Sequence, residues 1–94
     1  MFIVLLKFAK REAAASHMAA HNAWIHQGLA DGAFQLIGTL QPKLGGAIVV
    51  HGESREALEL RLAADPFVEH GVVSAEILEI APNRAADRFQ FLLS

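Results

Sequence analysis

Two residues of this sequence, His21 and Asp65, have the types and settings that acid/base chemistry requires. His21 lies on the apolar side of a helical pattern, and Asp65 ends a second helical pattern just before Pro66. An unpaired buried carboxylate costs several kcal/mol, so we expect a cation, a histidine or backbone donors beside Asp65. If His21 and Asp65 converge, they form a dyad suited to proton transfer at carbon, which is worth about 10²–10⁴ in rate.

Other interpretations of these residues stay open at this stage. His21 fits a core histidine bonded to a backbone carbonyl or to water, and Asp65 fits a residue that accepts N–H bonds in the turn leading to Phe67. A metal site is a third interpretation, because His17 and His21 stand one helical turn apart and Asp65 offers a third ligand. The sequence has neither a HExxH glutamate nor a remote histidine cluster, so we predict no metal and no cofactor.

The periodicity of apolar residues predicts the elements that must position this pair. Ser54 has the residue type of a helix N-cap, and Pro66 lacks the N–H needed to continue a helix. Short β-prone runs alternate with two helical stripes in the order βαββαβ. The predicted strands cover residues 2–6, 34–40, 47–51 and 72–80, and the predicted helices cover 16–30 and 54–64.

This order predicts an α+β fold of the ferredoxin-like type, with an antiparallel sheet and both helices on one face. An inward His21 and an inward Asp65 can meet on that face. The other sheet face is left bare, and with 53% hydrophobic residues the chain has too much apolar surface for a small monomer. Two sheets packed face to face, as in a dimeric α/β barrel, would cover it, so we predict a homodimer.

The chain divides into a single domain, residues 1–82, and a C-terminal extension, residues 83–94. Alternation of Phe89, Phe91 and Leu93 in the extension predicts a short extra strand at the dimer interface. The pocket is expected between helices and sheet, with Trp24 and Phe67 in its wall.

Charge and cysteine content exclude several partners. The net charge is −2 with no basic run, which argues against nucleic acid and against binding to a membrane surface. Residues 1–6 are too short an apolar run for a signal peptide or a membrane span. The absence of cysteine removes disulfides and thiol nucleophiles and fits the cytoplasm.

In order and spacing, several motifs together resemble the YciI-like (YCII-related) proteins over about residues 1–82. They are the first strand, His21-x-x-Trp24-Ile25, the strand with Gly38, Gly45-Gly46-Ala47-Ile48-Val49-Val50, Ser54-Arg55-Glu56-Ala57-Leu58 and Asp65-Pro66-Phe67. The resemblance implies a ferredoxin-like fold, dimers of the α/β-barrel kind, a small-molecule pocket and a site histidine and aspartate that match His21 and Asp65. The family's Ser-Gly-Pro on the second strand is Ile37-Gly38-Thr39 here, so Ile37 stands in place of the family's serine and we expect no hydroxyl contribution from that position.

The family includes a dehydrochlorinase of chlorinated-aromatic breakdown and shares its architecture with muconolactone isomerases. With this resemblance, our prediction is a lyase or isomerase in which His21 is the acid/base, Asp65 orients it, and Trp24, Phe67 and Gly38 contact the substrate. Some relatives accompany transcription-related modules. The alternative is accordingly a non-catalytic ligand-binding or regulatory module in which the pair is structural.

Overall fold

The fold was analysed in a computed structural model that describes residues 1–93. Four strands form one antiparallel sheet in the order β2-β3-β1-β4, which is the ferredoxin-like arrangement. The α+β fold class predicted from the sequence is therefore confirmed. The strands are β1 (Phe2–Phe8), β2 (Phe34–Leu40), β3 (Gly45–Val50) and β4 (Val73–Glu79), and the helices are α1 (Ala14–Ala30), α2 (Arg55–Ala63) and α3 (Pro66–Glu69).

Local sequence explains most of the helix boundaries. A 3₁₀ turn, Arg11–Ala13, leads into α1, so that helix begins earlier than its apolar stripe suggested. α2 begins after Ser54, whose hydroxyl accepts the Ala57 N–H at 3.1 Å, as the predicted N-cap requires. The single turn α3 was not predicted, because four residues are too few to show a helical period.

One face of the sheet packs against the helices and forms the core. Alternate residues of β1 and β3 point into it, together with Leu58 and Leu62 of α2 and Phe67 of α3. The opposite face carries an apolar row that crosses all four strands. Strand registers align its members as Leu36, Val49, Ile3 and Leu78.

Close packing of α1 on β2 depends on Gly28. A Cβ at this position would lie 2.2 Å from Cδ2 and Cε2 of the buried Phe34 ring. We expect Gly28→Ala to destabilise the fold by about 1–3 kcal/mol through this clash, although Ala favours a helix by about 1 kcal/mol over Gly. Urea unfolding measures the change. Gly38→Ala is the control, since its methyl group would meet only Leu36 Cδ2 at 4.0 Å. Equal free energies of unfolding for Gly28→Ala and Gly38→Ala would contradict the prediction.

An ion-pair cluster ties α2 to the end of α1. Arg61 donates to Glu53 at 2.6 Å and to Asp31 at 2.9 Å, and its backbone carbonyl accepts the Trp24 indole N–H at 2.8 Å. The hydrogen bonds from Arg61 and from Gln27 lower the pKa of Asp31, and the bond to Glu53 raises the pKa of Arg61. Arg61 lies on the apolar side of α2, and its charge is accommodated there because it pairs with Glu53 and Asp31.

Because the folded-state pKa of Asp31 is lowered, its contribution to stability is present above the unfolded value of 3.8 and is lost as pH falls through the folded value. We expect the difference in the free energy of unfolding between wild type and Asp31→Asn to be constant at pH values well above 3.8 and to shrink as the pH is lowered below 3.8. Urea unfolding across this pH range measures it. A difference independent of pH would show that the Asp31 charge contributes nothing.

The C-terminal extension differs from its prediction. The described part contains a 3₁₀ helix, Asp87–Leu93, where the alternating apolar residues predicted a strand, and Ser94 lies outside the described residues. Within this helix Phe91 meets the His51 ring edge-on at 5.5 Å. The prediction was wrong because period-two alternation over so few residues also suits a tight helix, and here the segment packs by its aromatic rings.

Candidate active site

α1 presents His21 to the interior of the protein. The buried residues of this helix are Ala14, His21 and Gly28, which recur every seven residues and so share one face. His21 is only 8% exposed. A polar side chain at this depth requires a hydrogen-bond partner, and the end of α2 supplies it.

Asp65 occupies the joint between α2 and α3. Its backbone is extended, because Pro66 disfavours the helical conformation in the residue before it, and Pro66 then begins α3. The Asp65 Oδ1 atom accepts the Phe67 N–H at 3.0 Å and so caps α3. Asp65 therefore accepts an N–H bond in the turn that leads to Phe67, as one interpretation of the sequence expected, and the same oxygen also contacts His21.

The same Oδ1 atom lies 2.7 Å from Nδ1 of His21, and Asp65 is 0% exposed. Because Oδ1 accepts from both partners, we assign the Nδ1 proton to His21. Nε2 has no hydrogen-bond partner among residues 1–93, which leaves it available to a bound molecule. The imidazole lies flat on the Phe67 ring, with centroids 3.9 Å apart and planes 5° from parallel. Hydrogen bond and stack together fix the orientation of the ring.

A pocket of about 480 Å³ opens beside this pair. α1 forms one side, the sheet and the β2–β3 loop form the other, and α3 contributes Phe67. The lining consists of Leu6, Phe8, Arg11, Met18, His21, Asn22, Ile25, Ile37, Gly38, Thr39, Lys43, Gly45, Gly46, Phe67 and Val73. This volume suits a ligand of one or two rings.

The predicted site residues are distributed unequally around this pocket. His21, Phe67 and Gly38 line it, and Asp65 lies behind His21. Trp24 lies outside the lining, with its ring centroid 5.9 Å from that of His21 and its indole edge-on to Phe34. Trp24 thus supports the back of the histidine and joins α1 to α2.

His17 does not join His21 in a ligand set. Its ring stacks on His70 at 4.0 Å, while His21 Nδ1 is bonded to Asp65. Within residues 1–93 no group of three or more His, Cys, Asp or Glu side chains is placed to hold a metal ion.

Four polar residues of the pocket were not identified from the sequence: Arg11, Asn22, Thr39 and Lys43. Arg11 stands in the polar stretch after β1, Asn22 on the polar side of α1, Thr39 on β2 and Lys43 in a turn. Nothing local distinguishes such residues from ordinary surface side chains. Only the folding of the β2–β3 loop over the start of α1 brings them to one cavity.

Fold and site together define a ferredoxin-like domain with a buried His–Asp pair at the wall of a small-molecule-sized pocket. The chain belongs to the YCII-related domain family, whose model matches residues 1–81. No curated protein matches the sequence.

A solved structure with the same fold is 5-chloro-2-hydroxyhydroquinone dehydrochlorinase (TftG) from Burkholderia phenoliruptrix AC1100, in complex with 2,5-dihydroxybenzoquinone. It superposes with a TM-score of 0.66 at 17% sequence identity, over 85% of this chain and 93% of that one. At this identity the likeness establishes the fold. Among residues 1–93, no helix is long and apolar enough to cross a membrane.

Proposed function

We propose that this protein is an enzyme of the lyase or isomerase type that moves a proton on a small, partly apolar organic molecule. The observation that carries the proposal is the buried 2.7 Å contact between His21 Nδ1 and Asp65 Oδ1 at the wall of the pocket. The structural neighbour adds support, because it is named as a dehydrochlorinase and its structure contains the small quinone 2,5-dihydroxybenzoquinone.

In the proposed reaction, Nε2 of His21 removes a proton from a carbon of the substrate. The imidazolium that forms is balanced by the Asp65 carboxylate on its other nitrogen. The electron pair of the C–H bond then forms a double bond. In an isomerisation the electron pair of the substrate's original double bond takes the proton back from His21 at a different carbon, and in an elimination the leaving group on the adjacent carbon departs with the electron pair of the bond that breaks.

Deuterium exchange tests this proposal whatever the product of the reaction is. The protein is incubated in D₂O with a panel of small cyclic acids, lactones and dihydroxyquinones, and loss of substrate C–H signals is followed by NMR. We expect exchange or turnover with at least one compound, and none above background with His21→Asn. If no compound exchanges but some bind, the protein is the ligand-binding or regulatory module of the alternative hypothesis.

The proposed assembly is a homodimer in which the apolar rows of two sheets face each other. Two members of this row, Leu36 and Leu78, are 57% and 42% exposed in the single chain, and a continuous apolar patch of this kind marks an interface. The C-terminal 3₁₀ helix, with Phe89 and Leu93 also exposed, is assigned to the same interface. A cytoplasmic location remains a prediction from the absence of cysteine.

Light scattering coupled to gel filtration tests the dimer. Wild type is expected to elute with the mass of two chains, and Leu78→Glu with the mass of one, because two carboxylates would be buried in the interface. The control is Leu60→Glu, since Leu60 is 76% exposed on α2. A monomeric wild type, or a dimer unaffected by Leu78→Glu, would contradict this assembly.

A further inference from the structure

The charged side chains that line the pocket in addition to His21 are both positive. Arg11 and Lys43 belong to its lining, whereas no Asp or Glu of residues 1–93 does. This is notable in a chain that has ten acidic and eight basic residues and a net charge of −2. The Asp65 carboxylate lies behind His21 and is already paired with it.

Neither cation has an acidic partner within residues 1–93. The other ion pairs of the described chain use Arg55 and Arg61, which lie on α2. Two unpaired cations on one pocket raise its electrostatic potential and favour an anionic occupant.

Arg11 is held in position although it has no salt bridge within the described chain. Its guanidinium lies over the Phe8 ring at 4.9 Å from the centroid and donates through Nη2 to the backbone carbonyl of Lys43. Only one of its five N–H groups is used in this way, so most of the planar fork remains available to a ligand. A pre-positioned Arg loses less entropy on binding than a mobile one.

The backbone of the β2–β3 loop places Lys43 beside Arg11. Lys43 itself adopts a left-handed conformation, with φ of 51°, and Gly45 has φ of 143°. A Cβ on Gly45 would lie 1.8 Å from the Leu6 carbonyl oxygen, so only glycine permits the loop to approach β1 this closely. This approach keeps the loop, and therefore Lys43, against the pocket.

We propose that Arg11 and Lys43 form an anion subsite and that the substrate is a small carboxylic acid with an apolar, ring-sized body. This rests on the proposed function and names its substrate class. The guanidinium fork matches a carboxylate in two parallel hydrogen bonds, and Met18, Ile25 and Ile37 supply the apolar surface for the remainder of the molecule. When His21 removes a proton from a carbon near the carboxylate, the same cations stabilise the developing negative charge.

Equilibrium binding of a matched pair of probes tests the subsite. Benzoate and benzamide have nearly the same size and shape and differ in charge. Titration of ¹⁵N-labelled protein by NMR is expected to show benzoate binding at least about tenfold more tightly than benzamide, with shift changes at pocket residues. Raising the ionic strength should weaken benzoate binding and leave benzamide binding unchanged.

Variants identify the residues responsible. Arg11→Gln and Lys43→Gln are each expected to reduce the preference for benzoate severalfold or more, whereas Lys10→Gln, the same change of charge outside the pocket, should not. Arg11→Lys retains the charge and serves if Arg11→Gln perturbs the fold, and it should recover part of the preference. Equal affinity for the two probes, equal effects of Arg11→Gln and Lys10→Gln, or shift changes outside the pocket would each overturn the subsite.

The subsite and the acid/base chemistry can fail separately. Binding does not require proton transfer, so His21→Asn should keep the preference for benzoate. If the preference is present and no compound exchanges in D₂O, the proposed catalysis is rejected and the anion subsite stands. If exchange occurs on neutral compounds as readily as on acids, the subsite is rejected and the catalysis stands.

Discussion

Replacing His21 by Asn is expected to lower kcat by a factor of about 10²–10⁴ while the protein stays folded, because the substitution removes the acid/base nitrogen and keeps the donor to Asp65. The amide nitrogen of Asn lies at about the position of Nδ1 and can donate to Asp65 as the imidazole does. Nothing replaces Nε2, which is the nitrogen left for the substrate. The measurement is turnover or deuterium exchange on whichever compound the D₂O screen identifies.

Asp65→Asn is the companion variant and tests the charge of the partner. The Phe67 N–H, 3.0 Å from Oδ1, requires an acceptor and therefore holds the amide oxygen of Asn at that position. His21 Nδ1 still donates to this oxygen, so the tautomer is preserved and only the negative charge is lost. We expect turnover to fall, but by less than in His21→Asn, because the imidazolium formed in the reaction would lose its balancing negative charge while the base itself remains.

These two variants separate a positioning role from a purely structural one. With a purely structural Asp65, Asp65→Asn would alter stability and leave the turnover of the folded protein unchanged. If Asp65→Asn has the wild-type rate, the carboxylate does not assist His21. If His21→Asn retains full turnover, His21 is not the acid/base and the proposed mechanism is wrong.

The second large effect is on stability, and it arises from His21→Ala. This change leaves the Asp65 carboxylate 0% exposed with the Phe67 N–H as its remaining partner. Its Oδ2 atom already has no partner in the described residues, so the loss of the imidazole cannot be compensated there. Removing the partner leaves a buried carboxylate uncompensated, which in buried ion pairs costs about 3–5 kcal/mol, and the free energy of unfolding should fall by about that amount.

His21→Asn is the matched control for this measurement as well, because it preserves the donor to Asp65. In urea unfolding it should lose clearly less stability than His21→Ala, although both lose the stack on Phe67. Comparable losses would show that packing on Phe67, not the hydrogen bond, stabilises this region. Stability alone therefore does not decide between a catalytic and a structural pair, since a buried pair such as this one contributes to folding in either case.

Much of the fold could be predicted from local sequence. The apolar runs and the change of period gave all four strands and the two long helices in the correct order, with boundaries that moved by a few residues at most. Strong local signals marked the helix ends, since Ser54 can accept an N–H bond and Pro66 cannot donate one. Helical patterning predicted that both His21 and Asp65 point inward, and Pro66 placed Asp65 at the helix end.

The limits of prediction have equally physical causes. α3 and the 3₁₀ helix, Asp87–Leu93, are too short for periodicity to identify, and the apolar residues of the latter suggested a strand. Arg61 interrupted the pattern of α2 because it is paired with Glu53 and Asp31, which lie elsewhere in the chain. The helical pattern could assign Trp24 to the inward side of α1, but it could not show that the indole packs behind His21, away from the pocket.

The sequence by itself determined the order of the elements and the inward direction of His21 and Asp65, because both follow from interactions within a few residues along the chain. Tertiary structure alone decided that the two side chains, 44 positions apart, meet at 2.7 Å. It also decided that Arg11 and Lys43, 32 positions apart, share one pocket. Such contacts depend on how helices and loops pack on the sheet, and no local pattern encodes that packing.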